Sequence, residues 1–466
     1  MSSPLITVYI TNYNYEKYIK QAIESVLNQT FQNFELFIID DGSTDDSKRI
    51  IESYSNHPQI NIIYQQNKGL NITNNIALRL ANGKYIMRLD ADDYLVPHSI
   101  EKMADLLESD NQLGMVFPDY FLVDAQNNIT AEIKRHDFKE EVNLLDQPAH
   151  GACTMIRTEF LNAVGGYDEN YTCQDGYELW IKYTARFKVL NISDSLFYYR
   201  QHGENLTTNE NRILDTRRSI HDNFIKNNRI HVLTTIAILP IRGTKIHGKM
   251  LALTKISDRT ILDIRIANLL SSKHLTLIVV SSSLKVIRDY VESNYGQEER
   301  VKFIERPQEL ARFNISLLGT IDHILNYDSI KKIEPKAFVI VPIEYVFQTG
   351  EIIDDAINSM VIFKSDSVIS VRTEHATYYQ HHGNGMVPIM EQANFTRLER
   401  EALYKGIGGI QLVKIENYQK ERKLLAGKVG HIVVDQKTAQ GVFSGYDLTI
   451  VEYLFEKEQK VVSVSK

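Results

Sequence analysis

Cysteine is nearly absent from this sequence of 466 residues, which contains only Cys153 and Cys173. The two stand in no metal-binding or redox spacing, so a cysteine-based metal site or redox motif is not expected. Two free thiols in a reducing cytosol are predicted, with a bridge between them left open. Long apolar runs are also absent, and the N-terminus shows no signal-peptide pattern. The sequence therefore predicts a cytoplasmic protein without a membrane span, either free or associated peripherally with the inner face of the membrane.

An excess of basic residues is lacking as well. Lysine and arginine number 52 against 59 aspartates and glutamates, which gives a formal net charge of -7. This balance supplies no general electrostatic attraction to nucleic acid or to an anionic membrane. The chain does have the composition of a soluble globular protein, with 43% apolar and 24% charged residues. Its length exceeds one ordinary core, so two domains are expected.

A cluster of acids follows one strand-like segment. Residues 85–89 form a short, mainly apolar run, and Asp90, Asp92 and Asp93 come directly after it. Uncompensated carboxylates at the end of a buried strand repel one another and resist desolvation. A divalent cation such as Mg2+ or Mn2+ is the simplest compensation, because hard cations take carboxylate oxygens and leave positions for substrate phosphates. The alternative is a polar turn in which Asp93 caps the next helix.

Strand-like and helix-like segments alternate through the first part of the chain. The strand-like segments are residues 5–10, 34–39, 60–64 and 85–89, and the helix-like segments are residues 19–27, 47–54 and 70–81. This alternation predicts a parallel sheet that is covered on both faces. Ligands bind at the carboxyl ends of the strands in such sheets. The polar residues that follow the strands are therefore expected to converge on one cleft: Thr11, Asn12, Asp40, Asp41, Asp90, Asp92 and Asp93.

Four motifs carry a family resemblance. Residues 8–15, 38–45, 67–69 and 89–93 stand in the order and spacing of a family 2 glycosyltransferase of the GT-A fold. The resemblance extends to about residue 205 and implies a first domain over residues 1–208. A nucleotide-sugar donor, a UDP-sugar above all, is what the family implies as the substrate.

The resemblance also implies roles for individual residues. Thr11 and Asn12 would line the pocket for the nucleotide base and ribose, and Asp40 or Asp41 would accept hydrogen bonds from the base. Asp90 and Asp92 would form the metal-dependent diphosphate site, with Asp92 as the direct ligand and Asp90 nearer the ribose. The metal would be Mn2+ or Mg2+, which can neutralise the charge that builds on the diphosphate as the glycosidic bond breaks.

Four residues of the acceptor side and the domain end complete the resemblance. Asp175 matches the family's catalytic base at a helix start, and an inverting transfer needs one carboxylate to take the proton of the acceptor hydroxyl. The alternative role for Asp175 is a helix N-cap. His150 is a candidate contact to the acceptor hydroxyl or an ordinary structural histidine. His202 is a candidate third metal ligand and Arg200 a candidate diphosphate contact, with a surface pair as the alternative.

The second half of the chain begins after a polar segment, residues 209–231, that is predicted to be a linking helix. Residues 232–466 show a second α/β alternation. This half resembles the CMP-sugar (acylneuraminate-type) cytidylyltransferases in residues 237–243, 305–311 and 427–430, among others. The resemblance implies a second Rossmann-like nucleotide-binding domain and a homodimer.

The second half departs from those relatives where their chemistry resides. The pair of acids that holds Mg2+ in them is replaced by Gly441-Val-Phe443. Nucleotidyl transfer without these ligands leaves the triphosphate charge unneutralised, so an inactive domain is predicted. Arg242, Lys245 and Lys249 are candidates for an anion site, or else ordinary surface charges.

The leading functional hypothesis is an inverting, metal-dependent glycosyltransferase. It would move a sugar from a nucleotide-diphosphate donor to a glycan or lipid-linked acceptor in the biosynthesis of surface polysaccharides or glycoconjugates. Two alternatives remain open. One is a bifunctional CMP-sugar synthetase and transferase, and the other is a non-catalytic scaffold that senses sugar nucleotides.

Overall fold

The computed structural model describes most of the chain and divides it into two compact units. The described residues are 3–134, 151–201, 210–312, 314–374, 378–381, 383, 385–389 and 403–464. The units are Met1–Arg217 and Arg218–Lys466. The division falls inside a helix, α7 (Glu210–Asn227), within the segment that the sequence predicts to be a linking helix.

The first unit alternates strands and helices as far as its fourth strand. The strands are β1 Ile6–Asn12, β2 Phe34–Asp40, β3 Ile60–Tyr64, β4 Tyr85–Asp90, β5 Tyr94–Leu95, β6 Leu113–Val123, β7 Ile129–Ile133, β8 Met155–Arg157 and β9 Lys188–Arg200. The helices are α1 Ile19–Leu27, α2 Ser47–Glu52, α3 Leu70–Leu80, α4 Ser99–Ser109, α5 Thr158–Ala163 and α6 Asp175–Thr184. Within the described residues, these nine strands form one sheet in the order β3-β2-β1-β4-β8-β6-β9-β5, with β7 beside β6.

The centre of this sheet is parallel and covered on both faces. β1 pairs in parallel with both β2 and β4, and β2 pairs in parallel with β3. Successive side chains of β1 point to opposite faces, so Val8 and Ile10 enter one core cluster and Tyr9 enters another. The parallel, doubly covered sheet that the alternation predicts is therefore confirmed for these four strands, while β8 joins β4 in the antiparallel direction.

Helix α1 shows why the intervening segments become helices. Its buried residues are Ile19, Ala22, Ile23 and Val26, which recur at intervals of three and four and so occupy one face. That face joins the core cluster beneath β1. The helix that the sequence predicts over residues 19–27 is confirmed.

Strand register fixes which site residues become neighbours. Asn12 pairs with Asp40 across β1 and β2, and Thr11 pairs with Asp90 across β1 and β4. The carboxyl ends of three parallel strands thus lie side by side. The convergence that the sequence predicts at this edge is observed for Thr11, Asn12, Asp40 and Asp90.

The second unit is also built from strands and helices around a central sheet. Its strands are β10 Thr235–Pro240, β11 Lys245–Ile246, β12 Lys249–Met250, β13 Lys255–Ile256, β14 Arg259–Thr260, β15 Leu275–Ser282, β16 Val301–Glu305, β17 Ala337–Ile340, β18 Ser367–Glu374, β19 Tyr379–His381, β20 Met386–Pro388, β21 Leu403–Lys414 and β22 Val429–Val433. Its helices are α8 Ile261–Leu270, α9 Lys285–Tyr295, α10 Leu318–Leu325, α11 Asp328–Lys331, α12 Gly350–Ile362, α13 Ile415–Glu421 and α14 Gly445–Val464.

The main sheet of the second unit is mixed. Its order within the described residues is β16-β15-β10-β17-β21-β18-β22. β10 lies parallel to β15 and β17, whereas β21 runs antiparallel to β17 and β18. The unit is therefore α/β, and nucleotide binding by it stays a prediction.

Gly83 provides a test of how closely the backbone of residue 83 approaches β1. A Cβ at this position would lie 2.4 Å from the backbone nitrogen of Thr7 and 2.6 Å from the carbonyl carbon of Ile6. Because both atoms belong to the backbone at the centre of the sheet, we expect Gly83→Ala to lower the free energy of unfolding by about 1–3 kcal/mol. Urea denaturation followed by circular dichroism measures this loss.

The matched control is Gly406→Ala in β21, where an added Cβ meets no atom within 4 Å. We expect this control to change stability by less than about 0.5 kcal/mol. Equal effects of the two substitutions would contradict the close approach of Gly83 to β1.

Candidate active site

The end of β2 is bonded to the end of β1 through Asp40. Nδ2 of Asn12 donates to Oδ1 of Asp40 at 2.7 Å, and Oγ of Ser43 donates to the same oxygen at 2.5 Å. The backbone N–H of Ser43 donates to Oδ2 at 3.1 Å. Asp40 is only 3% exposed, so these contacts supply the hydrogen bonds that a buried carboxylate requires. The predicted base contact of Asp40 stays a prediction.

Asp41 holds the turn that leads into α3. Its Oδ1 accepts hydrogen bonds from Nε2 of Gln65 at 2.7 Å and from the N–H of Lys68 at 2.8 Å, and its Oδ2 accepts from the N–H of Gly69 at 2.9 Å. Gly42 follows with φ +83, where an L side chain is strained. Both oxygens of Asp41 thus serve the local backbone, and its predicted base contact also stays a prediction.

Asp90 lies beside Thr11 at the ends of β4 and β1. Oγ1 of Thr11 donates to Oδ1 of Asp90 at 3.2 Å. The side chain of Asp90 is 25% exposed, whereas the whole residues Asp92 and Asp93 are 8% and 1% exposed. Solvent exposure therefore decreases from Asp90 through Asp92 to Asp93.

Asp93 is the most deeply buried of these acids. Its Oδ1 accepts the backbone N–H of Arg200 at 3.0 Å, and its Oδ2 has no hydrogen-bond partner among the described residues. Burial, and then the charges of Asp92 and Asp90, raise the pKa of Asp93 well above its ordinary value. The alternative in which Asp93 caps the next helix is wrong, because α4 begins at Ser99 and the intervening residues form β5, which pairs with β9.

Tyr15 faces the same acids, and the sequence analysis did not single it out. Burial raises its pKa, and the charges of Asp92, Asp90 and Asp93 add to the effect in that order. The only sequence signal was its place at the end of the motif over residues 8–15. A phenol surrounded by three carboxylates marks this region as one of excess negative charge.

That excess suits a divalent cation. Asp92 and Asp90 offer carboxylate oxygens, and their negative charges add to burial in raising the pKa of Asp93. Within the part of the chain that the structure describes, no group of three or more His, Cys, Asp or Glu residues is arranged to hold a metal. A site with one or two carboxylates completed by substrate oxygens is typical of Mg2+. His202 and His150 both lie outside the described residues.

Arg200 supports the acid loop from the protein side. Its guanidinium donates from Nε to the backbone oxygen of Asp92 at 2.8 Å and from Nη2 to Oε1 of Gln21 at 2.9 Å. It also lies over the ring of Tyr18, 4.5 Å from the centroid. At 1% exposure this side chain faces protein rather than solvent. Its predicted diphosphate contact thus has no support from this geometry, which fits a role in holding Asp92 and Asp93.

Asp175 is the first residue of α6. One arginine, Arg88, contacts both Asp175 and Asp90 of the acid cluster. Nη1 of Arg88 donates to Oδ2 of Asp175 at 2.6 Å, while Nε of Arg88 lies 2.9 Å from Oδ1 of Asp90. The N-cap position of α6 belongs to Gln174, which has φ 62 and makes no side-chain cap bond. The alternative role of Asp175 as N-cap is therefore not observed.

Helix α6 is anchored by its tryptophan. Trp180 is 1% exposed and packs edge-to-face against Phe117, with 5.7 Å between ring centroids. A buried ring of this size fixes the rotation of the helix and hence the direction of Asp175.

Comparison with known proteins identifies the first unit. The family model described as glycosyl transferase family 2 matches residues 7–165. An uncharacterized glycosyltransferase of Methanocaldococcus jannaschii is 31% identical over 215 residues, which are 43% of this chain and 72% of that protein. The chain belongs to glycosyltransferase family 2.

Two further proteins show how far the similarity of this family 2 chain extends. The chondroitin synthase of Escherichia coli is 32% identical over 219 residues, which are 47% of this chain and 32% of that protein. The chain thus spans about a third of the length of that relative. The crystal structure of S. aureus TarS 1-349 in complex with UDP-GlcNAc has a TM-score of 0.42 and 22% identity, over 47% of this chain and 66% of that one. Among the described helices of the family 2 chain, none has both the length and the apolar character for crossing a membrane.

In the second unit, the three predicted anion-site residues are spread over a strand end and a hairpin. Arg242 follows β10 and donates from Nη2 to a backbone carbonyl at 3.0 Å. Lys245 and Lys249 are exposed and belong to different cross-strand pairs of the β11–β12 hairpin. Because neighbouring pairs point to opposite faces, the two lysines do not converge. An anion site made of all three stays a prediction without support from this arrangement.

Two other arginines of this unit are buried, and the sequence analysis missed both. Arg265 and Arg306 are 0% and 1% exposed, and burial lowers the pKa of each to about 10. Nε and Nη1 of Arg306 have no hydrogen-bond partner among the described residues. Burial also raises the pKa of Glu344, which faces Arg265. The motif over residues 305–311 contained Arg306, but its burial depends on contacts that sequence does not show.

Asp93 of the glycosyltransferase domain provides a test of the buried negative charge. Its raised pKa means that the folded state holds a proton more tightly than the unfolded state does. The stability from that proton is full below the unfolded pKa and is lost as the pH rises through the folded pKa. We therefore expect Asp93→Asn, which keeps the Oδ1 acceptor, to raise the free energy of unfolding of the metal-free protein at pH 8 by at least ~1 kcal/mol.

Denaturant unfolding at pH 5 and pH 8 measures this gain, which we expect to be smaller at pH 5. The matched control is Asp110→Asn. The N–H of Gln112 and the ammonium of Lys188 lower the pKa of Asp110, so its substitution should reduce stability instead. A loss of stability in Asp93→Asn at pH 8 would contradict the buried-charge description.

Proposed function

We propose that the first unit catalyses transfer of a sugar, with inversion, from a nucleotide-diphosphate donor to a hydroxyl of a glycan or lipid-linked acceptor. A UDP-sugar is the proposed donor. The observation that carries the proposal is the position of Asp175. This candidate base and the donor-side acid Asp90 contact the same guanidinium, so both acids border one region at the carboxyl ends of β1, β2 and β4.

The donor would bind along those strand ends. Thr11 and Asn12 would lie beside the base and ribose, next to the partly exposed Asp90 and the buried Asp40. Asp92, with Asp90 beside it, would hold Mn2+ or Mg2+. When bound, such a cation supplies positive charge for the diphosphate leaving group.

Asp175 would act on the acceptor. Arg88 holds Oδ2, and among the described residues no protein donor occupies Oδ1. Oδ1 can therefore accept the proton of an acceptor hydroxyl while that oxygen forms the new bond to the anomeric carbon. The bond between the anomeric carbon and the diphosphate breaks on the opposite face, and its electron pair leaves with the diphosphate. Inversion at the anomeric carbon follows from this single displacement.

The relatives favour a polysaccharide as the acceptor. Besides the chondroitin synthase of E. coli, a hyaluronan synthase of Pasteurella multocida is 31% identical over 204 residues, 43% of this chain and 21% of that protein. Both names describe synthases of glycan chains. Surface polysaccharide biosynthesis, at the cytoplasmic side of the membrane, is accordingly the proposed setting.

For the second unit we propose a cytidylyltransferase-like domain that has lost catalysis and serves binding or assembly, including homodimer formation. Gly441 and Phe443 stand where the resembled enzymes carry their metal-binding acids. Nε and Nη1 of buried Arg306 have no hydrogen-bond partner among the described residues, which is consistent with a retained capacity for an anion. A bifunctional protein would need CTP turnover by this unit.

The first test is a panel of nucleotide sugars with Mn2+, assayed for nucleotide release and sugar transfer. We expect wild type to release one nucleoside diphosphate in a metal-dependent manner. Asp175→Asn should lower the transfer rate by about 10²- to 10⁴-fold, the range for loss of a general base. Asp92→Ala should abolish the Mn2+-dependent release of the nucleoside diphosphate. The control is Asp105→Ala, which removes an exposed acid on α4 and should keep the activity of wild type.

If wild type neither releases nucleotide nor transfers sugar with any member of the panel, the transferase proposal is refuted. Incubation of the full chain with CTP, Mg2+ and a sialic acid tests the second unit separately. We expect no pyrophosphate release, and release would favour the bifunctional alternative.

A further inference from the structure

Arg88 is a buried cation between two acids of different elements. It lies in β4, and its side chain is 6% exposed. Nη1 donates to Oδ2 of Asp175 at 2.6 Å, and Nη2 donates to Oδ2 of Asp90 at 3.4 Å. Nε lies 2.9 Å from Oδ1 of Asp90 as an ion pair, without the alignment of a hydrogen bond. One guanidinium therefore connects the end of β4 with the start of α6.

The backbone explains why Arg88 reaches both acids. Residues two apart in a strand point to the same face, so Arg88 and Asp90 lie on one side of β4 while Leu89 enters the core on the other. The neighbouring chain leaves room for the guanidinium at Gly151. A Cβ on Gly151 would lie 2.2 Å from Nη2 of Arg88. The position of the guanidinium is thus fixed by two acids and by the missing side chain of residue 151.

Charge balance holds this arrangement together. Burial by itself lowers the pKa of an arginine, but here the charges of Asp90 and Asp175 outweigh burial and raise the pKa of Arg88. If either acid turned away, the buried guanidinium would keep one carboxylate instead of two, and its burial would be less well compensated. The planar fork of arginine also fixes direction, which the point charge of a lysine does not.

We infer that Arg88 is the positioning residue of this active site: it holds the base Asp175 at a set distance from the donor-side acid Asp90 and directs Oδ1 of Asp175 towards the acceptor. The inference rests on the proposed function. Since a small misplacement of a catalytic group costs about 10²-fold in rate, loss of Arg88 should resemble loss of the base itself.

A double-mutant cycle tests the inference. We expect Arg88→Gln to lower kcat for sugar transfer by about 100-fold. In the Asp175→Asn background the same substitution should lower kcat by less than about 3-fold, because residues that act as a unit are not additive. Arg88→Lys should recover part of the lost kcat without reaching wild type, because one ammonium cannot span both acids.

Two further variants separate positioning from folding. Arg157→Gln removes another buried arginine of the first unit, whose Nε and Nη2 donate to backbone carbonyls away from the acids. It should lower the unfolding temperature while kcat of the folded protein stays near wild type. Gly151→Ala keeps the charge of Arg88 but displaces its Nη2, and it should lower kcat with the KM for donor less affected.

The outcomes are distinct. Full kcat in folded Arg88→Gln, or independent and additive losses from Arg88 and Asp175, would overturn the inference while leaving the transferase intact. If Arg88→Gln fails to fold, Gly151→Ala decides, and wild-type kcat in that variant overturns the inference. A wild type that transfers no sugar, or an Asp175→Asn variant as active as wild type, overturns the proposed function and the inference together.

Discussion

Electrostatic compensation of a buried acid cluster is the constraint on which the first unit depends. Asp90, Asp92 and Asp93 follow β4 into the protein. Burial, and then the charges of neighbouring acids, raise the pKa of Asp93 and of Tyr15. Two buried arginines border the cluster: Arg88 connects it with Asp175 of α6, and Arg200 connects it with Gln21 of α1. Two arginines do not balance the charge of three carboxylates. The remaining negative charge makes the region suited to a divalent cation, which could in turn hold a diphosphate.

The two arginines contact different elements: Arg200 contacts the acid loop and α1, and Arg88 contacts α6. The nitrogens of Arg200 donate to the loop backbone and to α1, an arrangement that fits a role in holding the acids at the end of β4. Arg88 instead reaches across to α6. The first unit therefore has one buried cation bonded to the acid loop and another that connects Asp90 with Asp175.

Sequence patterns were sufficient to predict which residues meet at the strand ends, because parallel pairing determines which strand ends are neighbours. Thr11, Asn12, Asp40 and Asp90 could be grouped without coordinates, since adjacent parallel strands end at the same edge. Arg88 could not be identified in this way, because its partner Asp175 lies 87 positions away and the strand around it reads as apolar. The cap assigned to Asp93 failed for a related reason: β5 forms only by pairing with the distant β9.

The register of β1 has a consequence for how the domain tolerates change. Asn12 meets Asp40 and Thr11 meets Asp90 because one strand is aligned with two neighbours at once. A slip of β1 by one residue would turn every side chain to the other face, so both polar pairs and the apolar core would be lost in a single event. The polar pairs at the strand ends and the packing of the core therefore depend on the same register of β1.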